Sequence, residues 1–272
     1  MPAFEYLDWD RFEVFLYAGG LGDHPLKLYC RTRSEKLVIL PPDTSEQAWT
    51  IREDDLDIIL IGGNITAGGN DLTLLCLHRL ARVQVTSIAS PVTSGMRNMD
   101  YYIAGDLTAP VSEDQEQYRE KLVNIEGPGF CFSYPVPGDE AEVTPVRSDL
   151  GGTGDSSLVF ISWANYYKII PEVREAWAEI LRAVPESLLV LYPFNPNWRK
   201  SYKEDMFTEQ MQAVFTAHGI ETDRLVVLEQ LPDPSDVREY LRLADVYLAS
   251  FPFSGAAFLM DPLFTGLPAV VR

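Results

Sequence analysis

Cations are scarce in this sequence. Only 22 Lys and Arg stand against 40 Asp and Glu, giving a formal net charge of −18. So acidic a surface repels polyanions, which argues against nucleic acid and anionic membranes as partners. One bound nucleotide stays compatible with it, because a single lysine and a helix end can offset a diphosphate locally. Cysteine and histidine are scarcer still, three of each. Cys30, Cys76 and Cys131 lie far apart with no CxxC pair, and His24, His78 and His218 show no ligand spacing. That argues against a disulfide framework and a zinc site, and no metal is expected. Long apolar runs are missing as well. None approaches a membrane span, and the opening MPAFEYLDWDRF is acidic and aromatic, unlike a secretion signal. A cytoplasmic location is the expectation. Among catalytic signatures there is no GxSxG, Walker A, HExxH or helically spaced carboxylate pair.

What is present is a chain of 272 residues, 46% apolar and 23% charged, enough to bury a real core. Short β-rich runs alternate with helical patterns. Residues 13–17, 36–40, 57–61, 82–88 and, more weakly, 101–104 read as strands, with a helix over 71–80 between two of them. Strand–helix–strand units predict an α/β protein with parallel sheets. Residues 135–156 change to a text rich in Pro, Gly and acid, VPGDEAEVTPVRSDLGGTGDS, which reads as a linker. Its GGTG is followed by a strand rather than a helix, so it is no dinucleotide fingerprint. Beyond it come strands at 158–162, 187–192, 224–229 and 246–250. Helices over 171–184, 202–218 and 236–243 separate them. The expected organisation is an N-terminal half at 1–135, a linker at 136–156 and a C-terminal half at 157–272, with a cleft between the halves.

The stretch 241–271, LRLADVYLASFPFSGAAFLMDPLFTGLPAVV, organises the candidate site. A strand runs into a turn through Pro252, Ser254 and Gly255, and then into a helix carrying Asp261. Such a turn gathers unpaired backbone N–H groups and a positive dipole end where phosphates bind in α/β sheets. An ordinary strand–turn–helix reads the same way, so this pattern alone leaves both open. Lys168 sits between a strand and a helix that starts at Pro171, a place from which an amine points to the carboxyl edge of the sheet. A solvated loop lysine is the other reading. In DLDIILIGGNITAG the N-terminal half offers Asp57, Asn64 and Thr66, with Asp57 a candidate base and Gly62 and Gly63 permitting a tight turn.

Several segments together resemble glycosyltransferase family 41, the family of O-linked N-acetylglucosamine transferases and SPINDLY-type proteins. EVFLYAGG, DLDIILIGGNIT, ARVQVTSIASPVTSGMRNMDYYIAGD and EQYREKLVNIEGPGFCF are similar, in order, to segments of its catalytic region. So are FISWANYYKIIPEVREAWAEILRAVPESLLVL and LADVYLASFPFSGAAFLMDPLFTGLPAVV. The resemblance implies a GT-B fold of two Rossmann-like halves, no required metal or other cofactor, a nucleotide-sugar donor, UDP-linked, and a protein acceptor. Lys168 falls on the lysine that contacts the donor diphosphate, Asn165 on a residue near it, and Asp261 on the carboxylate that holds the ribose. Gly255, Ala256, Ala257 and Phe258 fall on the donor-binding turn. There the transferases carry hydroxyl side chains, which this chain lacks. Val237 and Tyr240 replace a histidine and an arginine, and Ser90 with Pro91 replaces an aromatic–proline pair. The family's first strand would precede residue 1 and its closing elements would follow Arg272, so the region is expected to be incomplete at both ends. Two functions follow: a glycosyltransferase, or a non-catalytic relative that binds nucleotide or protein. A nicotinamide dehydrogenase fails for want of a glycine fingerprint after the first strand.

Overall fold

Every strand pairing in the computed structural model, which describes residues 2–20, 29–66, 69–131, 140–150, 157–193, 204–229, 231, 234–255 and 257–272, is parallel. Parallel neighbours need long crossovers, so helices cover the sheet faces and strands read as apolar runs. The chain divides into two units, Met1–Ser133 and Tyr134–Arg272.

Among the described residues the first unit holds two sheets. Strands β1 (Phe15–Ala18) and β2 (Lys36–Ile39) form one, and β3 (Ile58–Leu60), β4 (Val83–Ser87), β5 (Tyr101–Gly105) and β6 (Lys121–Ile125) the other, in that order. Short helices α1 (Pro2–Glu5), α3 (Asp71–Leu75) and α4 (Val111–Asp114) accompany the longer α2 (Thr44–Arg52). Asp43 caps α2 by accepting from the N–H groups of Ser45 and Glu46. Ala48 and Ile51 of α2 pack with Leu75, Leu80, Tyr17 of β1 and Ile59 of β3, so one apolar cluster touches both sheets. On its other face β3 leaves Ile58 and Leu60 each 58% exposed. At the end of β5, a Cβ on Gly105 would lie 2.0 Å from the Gly127 carbonyl oxygen, so the close approach of two backbones requires glycine there.

The helical spacing over 71–80 predicts a longer helix than the five residues of α3. Carbonyls that would continue it are taken by side chains: Arg52 Nε donates to the Arg79 oxygen and Asn98 Nδ2 to that of Leu77. Arg79 turns out to grip the Asp100 carboxylate with both guanidinium nitrogens. The apolar spacing also has no second surface to meet, since Leu74 and Leu77 stay exposed.

In the second unit β7 (Leu158–Ser162), β8 (Ser187–Leu191), β9 (Leu225–Val227), β10 (Val246–Leu248) and β11 (Ala269–Val270) form one sheet in the order β11-β10-β7-β8-β9. Alternation along the strands sorts its side chains. Phe160, Leu189, Leu191 and Leu248 face helices α5 (Pro171–Ala183) and α6 (Glu204–Ala217). Val159, Ile161, Leu188, Val190 and Tyr247 face the opposite way, where Leu241 of α7 (Pro234–Leu241) and Leu259 of α8 (Ala257–Thr265) pack. Helix α5 starts with Pro171 at its first turn and buries Val173, Trp177, Ala178 and Leu181, one stripe at helical spacing.

The reading of 136–156 as a linker is corrected in its described part. Residues 140–150 are built into the second unit. The fully buried Asp236 carboxylate accepts from the N–H groups of Glu142 and Val143 at 2.8 and 3.1 Å. Arg147 donates to the carbonyls of Leu243 and Ser157 and pairs with Asp245 at 2.6 Å, while Leu150 is buried in the core. Composition registers the turns of this stretch but not the one arginine and one leucine that anchor it. The GGTG run lies outside the described residues.

Burial pushes the Asp245 carboxyl up, but the Arg147 hydrogen bond and the Val159 N–H outweigh it and leave the pKa below the usual carboxylate range. A depressed folded pKa contributes stability above the unfolded value of about 3.9, lost as pH falls through the folded one. Asp245→Asn is therefore expected to lower stability by about 1–2 kcal/mol at neutral pH, allowing for the partial exposure of the pair. Urea unfolding of both proteins along a pH series should show that difference shrinking below pH about 4. A constant difference would assign Asp245 no such role.

Candidate functional site

The carboxyl edge of the second sheet is built from the segments that leave β7 and β10, neighbours in the sheet. After β7 the chain stays buried through Trp163, Ala164 and Asn165, then makes a short 3-10 turn, Tyr166–Lys168, before α5. Three backbone bonds fix the turn: Lys168 N–H donates to the Asn165 oxygen at 2.8 Å, Ile169 N–H to the Tyr166 oxygen at 3.1 Å and Tyr166 N–H to the Pro193 oxygen at 3.2 Å. Asn165 Nδ2 donates to the Tyr167 hydroxyl at 3.2 Å. The turn carries the Lys168 amine over the ring of Phe253, 4.4 Å from its centroid. An ammonium held over an aromatic face is attracted by the ring quadrupole. Burial pushes the Lys168 pKa below the usual lysine range.

Phe253 belongs to the turn that follows β10. Ser250 Oγ donates to the Phe253 carbonyl at 2.9 Å, and Gly255 has φ +88°, a left-handed conformation in which glycine carries no steric cost. Helix α8 begins two residues later. Its leading N–H groups have no intrahelical partners, and its dipole makes that end positive. Asp261 stands one turn into α8, where its Oδ1 lies 3.9 Å from Arg238 Nη1 of α7. Both side chains are largely buried. A cation, a helix start and a carboxylate thus share one sheet edge, an arrangement able to receive a diphosphate and the hydroxyls of the sugar beyond it.

Residues 139–272 match the family model of Glycosyl transferase family 41. Across most of the chain, SPINDLY of Arabidopsis thaliana, named as a probable UDP-N-acetylglucosamine–peptide N-acetylglucosaminyltransferase, is 32% identical over 229 residues. The chain belongs to glycosyltransferase family 41. That alignment takes in 84% of this chain and 23% of SPINDLY. The UDP-N-acetylglucosamine–peptide N-acetylglucosaminyltransferase of Caenorhabditis elegans is 31% identical over 257 residues, 92% of this chain and 21% of that protein. The chain therefore spans less than a quarter of the length of these curated relatives. Among solved structures, a point mutant of the Thermobaculum terrenum O-GlcNAc transferase superposes with a TM-score of 0.74 at 27% identity, over 99% of this chain and 48% of that one. Anabaena HepE in complex with UDP-glucose shares the fold, with a TM-score of 0.55 at 14% identity over 98% of this chain and 73% of that one. The two parallel α/β units are those of a GT-B protein.

Within the family 41 frame, the structure gathers Asn165, Lys168, Gly255 and Asp261 on segments at the same edge. Ala256 and the side chains of Ala257 and Phe258 lie outside the described residues. In the first unit, Asn64 Oδ1 accepts from Thr66 N–H and Thr66 Oγ1 beyond the end of β3, and Ile65 N–H donates to the buried Ser90 Oγ. Asn64, Ile65, Thr66 and Ser90 share the carboxyl edge of that sheet. Asp57 does not join them. It precedes β3 at the opposite, amino edge, 86% exposed and ion-paired with Arg82. Sequence reasoning missed Phe253 and Arg238. Their only trace was an aromatic two residues before Gly255 and an arginine between the two family positions occupied by Val237 and Tyr240.

Arg238→Met keeps length and removes charge, leaving the largely buried Asp261 carboxylate less compensated. An expected cost of about 1–3 kcal/mol follows for such a group, read as a lower urea midpoint at unchanged slope. Arg238→Lys should recover part of it. Equal stability of all three proteins would leave the pair without an energetic role.

Proposed function

We propose that this chain is part of a glycosyltransferase that moves a sugar from a nucleotide-sugar donor, UDP-linked, to a side chain of a protein, in the cytoplasm. The second unit binds the donor. The observation that carries this reading is the Lys168 amine, partly withdrawn from water and held against the turn that opens α8. In the absence of bulk water an ammonium and aligned N–H groups act far more strongly on developing charge than they would in solvent.

Lys168 and the start of α8 meet the negative charge that grows on the leaving diphosphate as the sugar–oxygen bond breaks. Asp261 accepts from the ribose hydroxyls, with Arg238 steadying its carboxylate, and Asn165 borders the phosphates. The rate gain comes from positioning and from stabilising the leaving group. No resident metal or other cofactor enters the proposal, and no side chain is assigned as base. The names of the SPINDLY and Caenorhabditis relatives, which specify UDP-N-acetylglucosamine and peptide, support donor and acceptor class alike.

A second reading is favoured by the residue types at 256–258. Alanine, alanine and phenylalanine have no hydroxyl to donate to phosphate. Loss of several charge-assisted contacts at about 1.5–3 kcal/mol each would weaken donor binding severely. The alternative is then a relative that kept the fold as a nucleotide- or protein-binding domain.

Calorimetric titration with UDP and UDP-N-acetylglucosamine separates the readings. Lys168→Ala is expected to weaken binding by about 1.5–3 kcal/mol and Asp261→Asn by less, since an amide oxygen still accepts from a ribose hydroxyl. The Lys168 ammonium exists below its folded pKa, which burial places under the usual lysine range. Affinity should accordingly fall as pH rises through that lowered value, earlier than for an unperturbed lysine. Threonines at 257 and 258 should tighten binding. No nucleotide binding by either the natural chain or the threonine variant would establish the non-catalytic reading, and binding indifferent to Lys168→Ala would refute this site.

A further inference from the structure

We propose that the amino edge of the β3-β4-β5-β6 sheet is a docking groove for a short acidic peptide segment of a partner protein. A concavity of about 580 Å³ opens there, at the heads of β4, β5 and β6. Its cations are Arg82, Arg97, Arg119 and Lys121, against the single carboxylate of Asp100. In a chain with nearly twice as many acids as bases, four cations around one hollow are a local reversal of sign.

The carboxylates nearby do not cancel them. Asp100 is turned to Arg79, which grips it with two nitrogens, and to the Gln84 N–H at 2.8 Å. Those bonds hold its pKa below the usual carboxylate range, the Arg79 pairing foremost. Arg82 is shared with Asp55 and Asp57 on the rim, where all three side chains are exposed and such pairs are weak and exchangeable. Arg97 and Arg119 are exposed, and among the described residues neither guanidinium is paired with a carboxylate. Lys121 lies 5.9 Å above the Tyr101 ring. Arg97 and Arg119, without carboxylate partners among the described residues, repel their neighbouring cations, and an arriving carboxylate relieves that repulsion while offering each guanidinium a bidentate partner.

Shape and field select a peptide among anions. The groove carries apolar surface as well, from Val83, Met99 and the Tyr101 ring. Its cations come from three neighbouring strands and the loops before them, so they spread over about 10 Å, two interstrand spacings. Side chains on one face of an extended peptide repeat at about 6.5–7 Å, a spacing that lets successive carboxylates meet successive cations. A phosphate cradle would instead converge backbone N–H groups at a helix start or nest. Extended polyanions meet the field of a molecule at −18, whereas a short segment feels only the groove within a screening length of about 8 Å. This surface lies at the strand ends opposite to Asn64, Thr66 and Ser90, and the inference is independent of the donor reading.

The test is fluorescence anisotropy of the whole chain with a labelled ten-residue peptide of alternating Glu and Ser, beside its Lys/Ser counterpart and inorganic pyrophosphate. Binding of the Glu peptide alone is expected, weakening with salt and falling at least about tenfold in Arg97→Glu/Arg119→Glu. The matched charge reversal elsewhere, Arg11→Glu/Arg182→Glu, should leave it within about twofold. Circular dichroism and melting establish that the variants are folded, and Arg97→Gln/Arg119→Gln replaces the first pair if it is not. No binding of the Glu peptide, or equal loss in the two reversals, overturns the proposal. So does displacement by pyrophosphate at lower concentration than the peptide, which would make this a small-anion site. Concentration-dependent self-association that the Arg97/Arg119 reversal abolishes would overturn it in favour of a second copy of the chain.

Discussion

Parallel pairing between β7 and β10 is the constraint on which the geometry of the candidate site depends. Two parallel neighbours send their following segments out at the same edge, whatever lies between them in sequence. Nearly ninety residues separate Lys168 from Phe253, yet the register Val246 to Phe160 and Tyr247 to Ile161 brings the segments after both strands together. The apolar alternation of β7 and β8 supports this pairing from both faces, with α5 and α6 on one side and α7 and α8 on the other. A residue slip in either strand would send its inward set outward. The position of the lysine is therefore held by the burial of Val159, Phe160 and Ile161, none of which bears on chemistry directly.

Much of this fold is legible in the amino-acid sequence alone. Strands buried on both faces are short apolar runs, and LVFIS, SLLVL and VYL announce themselves by it. Amphipathic α5 is equally plain, with Pro171 at its start. Elements stabilised by polar contacts were harder. The sequence reading names no strand at β6, because KLVNI is bounded by charge and fully buries only Leu122. Helix α2 has a weak apolar stripe and depends on the Asp43 cap and on Ile51, so composition alone does not mark it. The stretch at 140–150 misled for the opposite reason: its turn-forming residues are visible, while its anchors to Asp236 and Asp245 are long-range pairs.

Lys168 and Asp261 were legible through the strand–turn–helix pattern and the family resemblance together. Phe253 and Arg238 were not, since each acts across a sequence distance of tens of residues and through a contact type that has no periodicity. A cation–π contact needs only one ring and one amine in the right places, and neither leaves a pattern. Asp57 shows the converse. A carboxylate beside a buried strand looks like a candidate base, but the parallel sheet gives its two edges different roles, and the start of β3 is the edge away from Asn64 and Ser90.

Net charge and local charge act here at different ranges. At physiological salt the molecule's −18 is screened within about 8 Å, so it governs which large anions approach rather than what a formed pocket holds. A diphosphate at Lys168 would gain little from long-range steering, because the field it crosses on the way is repulsive. Its binding would rest on contacts made after water is displaced: the withdrawn amine and the N–H groups at the start of α8. Such a site associates slowly and discriminates by fit. Burial of Lys168 suits that demand, since an amine left fully hydrated would lose most of its advantage to solvent. On the proposed reading, the burial that lowers its pKa would be the physical condition for one lysine to hold a diphosphate in so acidic a chain.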